Sequence, residues 1–142
     1  MKVSALDENG VVLGYGGAAA TDAALWGVYI REVSGSYYFA MSARKTNGGA
    51  YSTVRGNTVL TSGAWYYVTY STNGSAWKIR VNGATAETLT NVLGTNTGDW
   101  IGDVTPTTPD KSEIGGVYAG GAYSSVNFWH GTLDEVRLSN VE

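Results

Sequence analysis

The sequence predicts an all-β fold built as an antiparallel β-sandwich, and three observations carry that expectation. Apolar and polar residues alternate with period two along most of the chain. Clusters of Gly, Asn and Ser separate the alternating segments. The composition supplies strands and turns: 20 Gly, 10 Tyr, 5 Trp and only 2 Pro in 142 residues, with good helix formers scarce beyond Ala. Strands and helices do not alternate, so nothing suggests a parallel sheet. The length, residues 1–142, suits a single domain that can bury a real core.

The elements follow in order. The segment AAATDAAL (18–25) is the one helix candidate, and it is short. LWGVYIREV (25–33) puts Trp26, Val28 and Ile30 on one face, with Glu32 continuing it. YYFAMSARK (37–45) puts Tyr37, Phe39 and Met41 opposite Tyr38, Ala40, Ser42 and Arg44, and the two segments read as a hairpin around SGS. YSTVRGNTVL (51–60) reads as a weaker strand with a bulge expected at Gly56. Trp65 to Tyr70 carries aromatic or β-branched residues on both faces, which predicts a central strand. Asn73-Gly74 is a favoured hairpin turn, and the return strand alternates Trp77, Ile79 and Val81 with Lys78 and Arg80. A second Asn-Gly pair at 82–83 turns the chain into TAETLTNV (85–92), a further strand candidate. Periodicity fails over 93–113, where both prolines lie, and a connection this long is usually functional or flexible. IGGVYAGGAYSS then gives a short strand and a glycine-rich loop, and WHGTLDEVRLSN (129–140) closes the chain as a strand.

Composition excludes several classes. A formal net charge of −3 and a pI near 5.0 give no electrostatic reason to expect nucleic acid, and the densest basic spot is Ala43-Arg44-Lys45. No apolar run approaches the roughly 20 residues of a membrane span. The first ten residues have no apolar stretch behind Lys2, so they do not read as a secretory signal. With no cysteine there is no disulfide framework, thiolate metal site or cysteine nucleophile.

GAWYYVTYSTNGSAWKIRVNGA (63–84) resembles a family pattern of G-x-W, Val, a turn, and a strand ending in N/D-G. IGG followed by NFWHGTLDEVRLSN resembles the same family's second mark, an I-G pair, an aromatic, a glycine and a closing [IL]-D-E-V-R-[IL]. Together with VVLGYGGAAATDAALWGVYI, these motifs are similar to laminin G-like domains of the concanavalin A-like lectin/glucanase superfamily, over most of residues 11–140. The resemblance implies a jelly-roll sandwich with one concave and one convex sheet. It implies a non-catalytic binding module for a glycan or a partner surface, placed on a cell surface, in a secreted protein or in a virion. It requires no cofactor, although some members bind calcium, and it makes Trp65 a core anchor. Relative to the family the chain looks trimmed at both ends, so the closing strand 132–139 is expected near a sheet edge, where either copies associate or the chain packs its own N-terminus. The alternative expectation is a structural or assembly module of a virion or tail.

Function then turns on a few residues. On a strand Asp134 and Glu135 point to opposite faces, so they form no acid–base pair. His130 is the only histidine and no G-x-S-x-G elbow is present. Gly14-Tyr15-Gly16-Gly17 has neither a following helix nor a lysine to make a phosphate cradle, and no E-x-D-x-(x)-E run places carboxylates along one face. The expectation is a protein that is not an enzyme. In the 93–113 loop, Asp99, Asp103, Asp110 and Glu113 are the candidate calcium ligands, because calcium takes six to eight oxygens. Trp100 has no strand register and stands between Asp99 and Asp103. It is the expected stacking residue for a sugar, with those carboxylates as acceptors and Tyr118 and Tyr123 extending the platform.

Overall fold

A computed structural model describes residues 1–6, 10–17, 23–107, 110–116, 118–119, 122–123 and 128–139. The chain is an all-β sandwich. Its strands are β1 (Lys2–Val3), β2 (Val11–Gly17), β3 (Leu25–Val33), β4 (Ser36–Arg44), β5 (Ser52–Arg55), β6 (Val68–Thr72), β7 (Trp77–Val81), β8 (Thr90–Leu93), β9 (Asp110–Ile114), β10 (Tyr118–Ala119), β11 (Ala122–Tyr123) and β12 (Gly131–Thr132). One layer is a six-stranded antiparallel sheet in the order β8-β5-β4-β3-β2-β9.

The β3–β4 hairpin is the spine of that sheet, with nine paired residues from Leu25↔Arg44 to Val33↔Ser36. Its two-residue turn holds Ser34 and Gly35 at positive φ, 52° and 79°, the geometry that matches the twist of flanking strands. The Glu32 carboxylate closes the turn by accepting from the Gly35 N–H. As the alternation requires, Trp26, Val28 and Ile30 share an inward face with Phe39 and Met41, and all five are buried.

The second layer presents Trp77, Ile79 and Val81 of β7 to those residues. Phe39 meets Tyr66 edge-on at 5.5 Å and Tyr70 at 6.4 Å, a preferred aromatic geometry. β7 pairs with β6 across the Asn73-Gly74 turn. β1 pairs with β12 on one side, and on the other Met1 exchanges two 2.7 Å backbone bonds with Tyr66.

Several sequence expectations are corrected. Trp65 is not a core anchor and 65–70 is not a central strand. Regular pairing begins only at Val68, and Trp65 and Tyr67 are 55% and 67% exposed. Gly56 forms no bulge: it lies just past β5, where its N–H donates to the Phe39 carbonyl at 2.9 Å. The 85–92 strand shrinks to Thr90–Leu93. The 93–113 loop ends early, because Asp110–Ile114 forms β9 along β2. The closing strand stops at Thr132, and Glu135 takes a positive φ of 50° that breaks any extended run. The face argument for Asp134 and Glu135 therefore does not apply. Residues 18–22 of the helix candidate lie outside the described residues, and Leu25 already belongs to β3.

Candidate functional site

The loop after β8 carries a single 3-10 turn, Ile101–Asp103, entered through Trp100. Asp99 is buried, 8% exposed, and its backbone carbonyl accepts from two indoles. Trp26 Nε1 donates at 3.0 Å, and Trp77 Nε1 donates as well. Its carboxylate pairs with Lys45 Nζ at 2.8 Å and accepts from Thr97 Oγ1 at 2.8 Å. The charge and hydrogen bond of Asp99 raise the Lys45 ammonium above its usual range. Asp103 accepts from the Trp100 N–H at 2.9 Å. Of the carboxylates named as sugar acceptors, Asp99 thus already ties the loop to Lys45 and Asp103 closes the turn on Trp100. Trp100 is 45% exposed, and its ring lies over Gly102, where a Cβ would stand 2.6 Å from Cζ2.

The other candidates lie elsewhere. Asp110 and Glu113 sit on β9, in register with Gly17 and Gly14. Tyr118 and Tyr123 are cross-strand partners in the β10–β11 hairpin, which begins beyond the Ile114 end of β9. Among the described residues no group of three His, Cys, Asp or Glu side chains comes together to hold a metal. The His130 carbonyl ties the N-terminal segment by accepting from Ser4 N–H at 2.9 Å.

Sequence reasoning passed over the outward face of β3, β4 and β5. Tyr29 Oη, Ser42 Oγ and Thr53 Oγ1 form a hydroxyl chain across the three strands at 2.8 and 2.7 Å. The Arg55 guanidinium lies 4.1 Å from the Tyr38 ring centre, and that of Arg44 lies 5.9 Å from Tyr51. Burial pushes the Tyr51 phenol up to about 12; nearby Tyr29 adds to the rise and Arg44 opposes it. Tyr51 therefore remains a neutral hydrogen-bond donor at ordinary pH. Small Ala40 and Ser42 lie beneath these side chains, so the face is a flat platform of half-buried rings and guanidiniums. Arg44 and Arg55 lie on this face, and each also donates to a loop carbonyl, that of Gly49 and that of Gly56, both at 2.9 Å. The signal was present in the polar half of YYFAMSARK: Tyr38, Ala40, Ser42, Arg44.

A concave cleft of about 710 Å³ opens in the other layer, between residues 65–70 and 133–139, with Val12, Leu13, Trp26 and Val28 among its lining. Comparison with protein-family models, with curated proteins and with solved structures returns no match.

Proposed function

We propose that the chain is a laminin G-like, non-catalytic binding module whose outward β3–β5 face receives a glycan carrying carboxylate or sulfate groups. The observation that carries this reading is the arginine–tyrosine platform. Rings offer faces to sugar C–H groups, hydroxyls and phenols meet sugar hydroxyls, and guanidiniums pair with anions in bidentate geometry. Arg44 and Arg55, on one face of a chain with net charge −3, bring positive charge to where the rings lie. Lys45 and Asp99 satisfy each other, so the Trp100 turn offers a ring without polar groups aimed beside it. The module needs no cofactor, and calcium enters only as the family resemblance implies. The same resemblance places it in a surface, secreted or virion protein. A flat platform binds weakly, about 4–8 kcal/mol, or millimolar to micromolar, and repeated copies would supply avidity.

A glycan array with neutral, sialylated, uronate-containing and sulfated members tests the proposal. The wild type should bind anionic members. Arg55→Gln should weaken binding about ten-fold or more, as loss of a charge-assisted bond requires, and Trp100→Ala should leave it unchanged. Loss in Trp100→Ala with Arg55→Gln intact moves the site to the 3-10 turn. Absence of any anionic-glycan binding by the wild type refutes the reading.

A further inference from the structure

The tip of the β6–β7 hairpin holds an Asn-Gly pair arranged for a reaction between its two residues. The chain contains four such pairs, at 9–10, 47–48, 73–74 and 82–83, and Asn9 lies outside the described residues. An Asn followed by Gly is prone to cyclise, because the Gly nitrogen attacks the side-chain amide carbon and no Cβ blocks its approach. Asn47, Asn73 and Asn82 are all exposed, as are the glycines that follow them. Hydroxide and water therefore reach the three pairs alike, and geometry has to separate them.

What differs is where each side-chain oxygen points. Asn82 Oδ1 accepts from the Tyr67 N–H at 3.0 Å, and the Asn82 N–H donates to the Tyr67 carbonyl at 2.6 Å. Two bonds to one partner hold that residue across to the neighbouring segment. Asn47 Oδ1 accepts from the Ala23 N–H at 3.2 Å, on a segment 24 residues away. Asn73 Oδ1 instead turns forward along its own chain. It accepts from the Ser75 and Ala76 N–H groups, each at 3.1 Å, which brings the amide carbon to the intervening Gly74 peptide. Gly74 has φ 79°, and its N–H donates to Thr72 Oγ1 at 3.0 Å, which fixes the plane of that peptide. The Thr72 hydroxyl in turn donates to the Gly98 carbonyl.

We propose that Asn73 is a site of spontaneous modification, cyclising with Gly74 to a succinimide that opens to aspartate or isoaspartate, ahead of Asn47 and Asn82. Hydroxide removes the Gly74 N–H proton, and the nitrogen lone pair forms a bond to Asn73 Cγ. The two groups are neighbours held in one turn, so the attack needs little further ordering. Negative charge then gathers on Oδ1, where the Ser75 and Ala76 N–H groups already stand, the arrangement that stabilises a tetrahedral oxyanion. The Cγ–Nδ2 bond breaks, Nδ2 takes a proton from water, and ammonia leaves while hydroxide is regenerated. Water then opens the ring at either carbonyl. Nothing is oxidised or reduced. The product carries a new carboxylate at the tip. In isoaspartate the main chain runs through Cγ and gains a methylene beside Thr72, the residue bonded to the loop that holds Asp99.

Incubation of the intact chain at mildly alkaline pH, followed by peptide mass spectrometry, reads the amide-to-acid mass gain at each Asn. In the folded chain the 73–74 pair should convert about ten-fold or more faster than 47–48 or 82–83, since only its oxyanion meets two donors. In denaturant the three rates should converge. Asn73→Ser keeps a side-chain oxygen that accepts within the turn, and it should remove the fast phase. A native rate at Asn73 equal to or below that at Asn47 or Asn82 overturns the proposal, and so does a fast phase that persists in Asn73→Ser. An advantage of Asn73 that survives unchanged in denaturant overturns it as well, since the rate then owes nothing to the turn.

Discussion

Replacing Trp77 by alanine removes the largest fully buried side chain of the sandwich, 1% exposed. Its indole packs with Ile79 and Val81 against the six-stranded sheet, and its Nε1 donates to the Asp99 carbonyl. Truncating a buried Trp costs ~3–5 kcal/mol through lost transfer energy and the cavity left behind. The lost hydrogen bond adds about 0.5–1.5 kcal/mol, and the Asp99 carbonyl keeps Trp26 as a donor. Against a total stability of roughly 5–15 kcal/mol this is a large fraction. At roughly 2–4 °C per kcal/mol for a chain of this size, the packing term alone lowers the melting temperature by about 6–20 °C. Trp65→Ala, made at a ring 55% exposed, should cost no more than about 1 kcal/mol. Calorimetry of the two variants beside the wild type decides. Equal losses, or a larger loss from Trp65→Ala, would refute the assignment of the core.

Other expectations follow from local contacts. Gly98 has φ +69°, and a Cβ there would stand 2.3 Å from the Ala76 nitrogen, so Gly98→Ala should lower stability by roughly 1–3 kcal/mol in denaturant titration. Wild-type stability in that variant would mean the loop sits differently. The Glu87 carboxylate accepts from the N–H groups of Asn57 and Thr58 at 2.9 and 3.1 Å and from the Thr58 hydroxyl. Glu87→Ala should therefore cost about 1–3 kcal/mol, and proteolysis near 56–60 should accelerate. Lys45, Tyr51 and Tyr70 all have raised pKa values in the fold, so the folded state holds more protons than the unfolded state at alkaline pH. Their contribution is complete below the unfolded values near about 10 and is lost as pH rises through the folded ones, about 12 for Tyr51. Denaturant midpoints should fall from about pH 10 upward, less steeply in Tyr51→Phe; a rise in that window contradicts the assigned environments.

The hairpins were legible because their determinants are local. Alternation over 25–33 and 37–45 names the buried faces, and the residues of the turns suit positive φ. Trp65 misled for a physical reason. Aromatics on both sides of a segment imply centrality only if neighbouring strands cover both sides, and coverage here depends on residues 1–3 and 131–139, far away in sequence. The cleft leaves Trp65 and Tyr67 at its rim. The closing segment alternates correctly from Leu133 to Leu138, yet a strand needs a ladder partner. β1 pairs with β12 at Lys2↔Thr132 and Val3↔Gly131, and Glu135 then takes a positive φ, so the alternation beyond Thr132 forms no ladder among the described residues.

The 93–113 loop shows the same limit for a site. An exposed Asp-Trp-x-x-Asp arrangement reads as a ring flanked by acceptors, and nothing local reveals that two indoles, 73 and 22 residues away, both point at Asp99. A buried carboxylate needs a partner. Lys45, at the end of β4, supplies the charge that lets Asp99 remain inside. That arrangement turns the loop into a clasp which joins the two layers through Trp26 and Trp77, and it leaves Trp100 as a ring on a fixed support. The platform and the cleft differ in the chemistry they present. On the outward face of β3–β5 the backbone is already paired between neighbouring strands, so only rings, hydroxyls and guanidiniums are presented, and these suit sugars and anions. In the cleft the backbone N–H and C=O groups of Val68 and Tyr70 have no partner among the described residues, so that wall offers its main chain where the platform offers side chains.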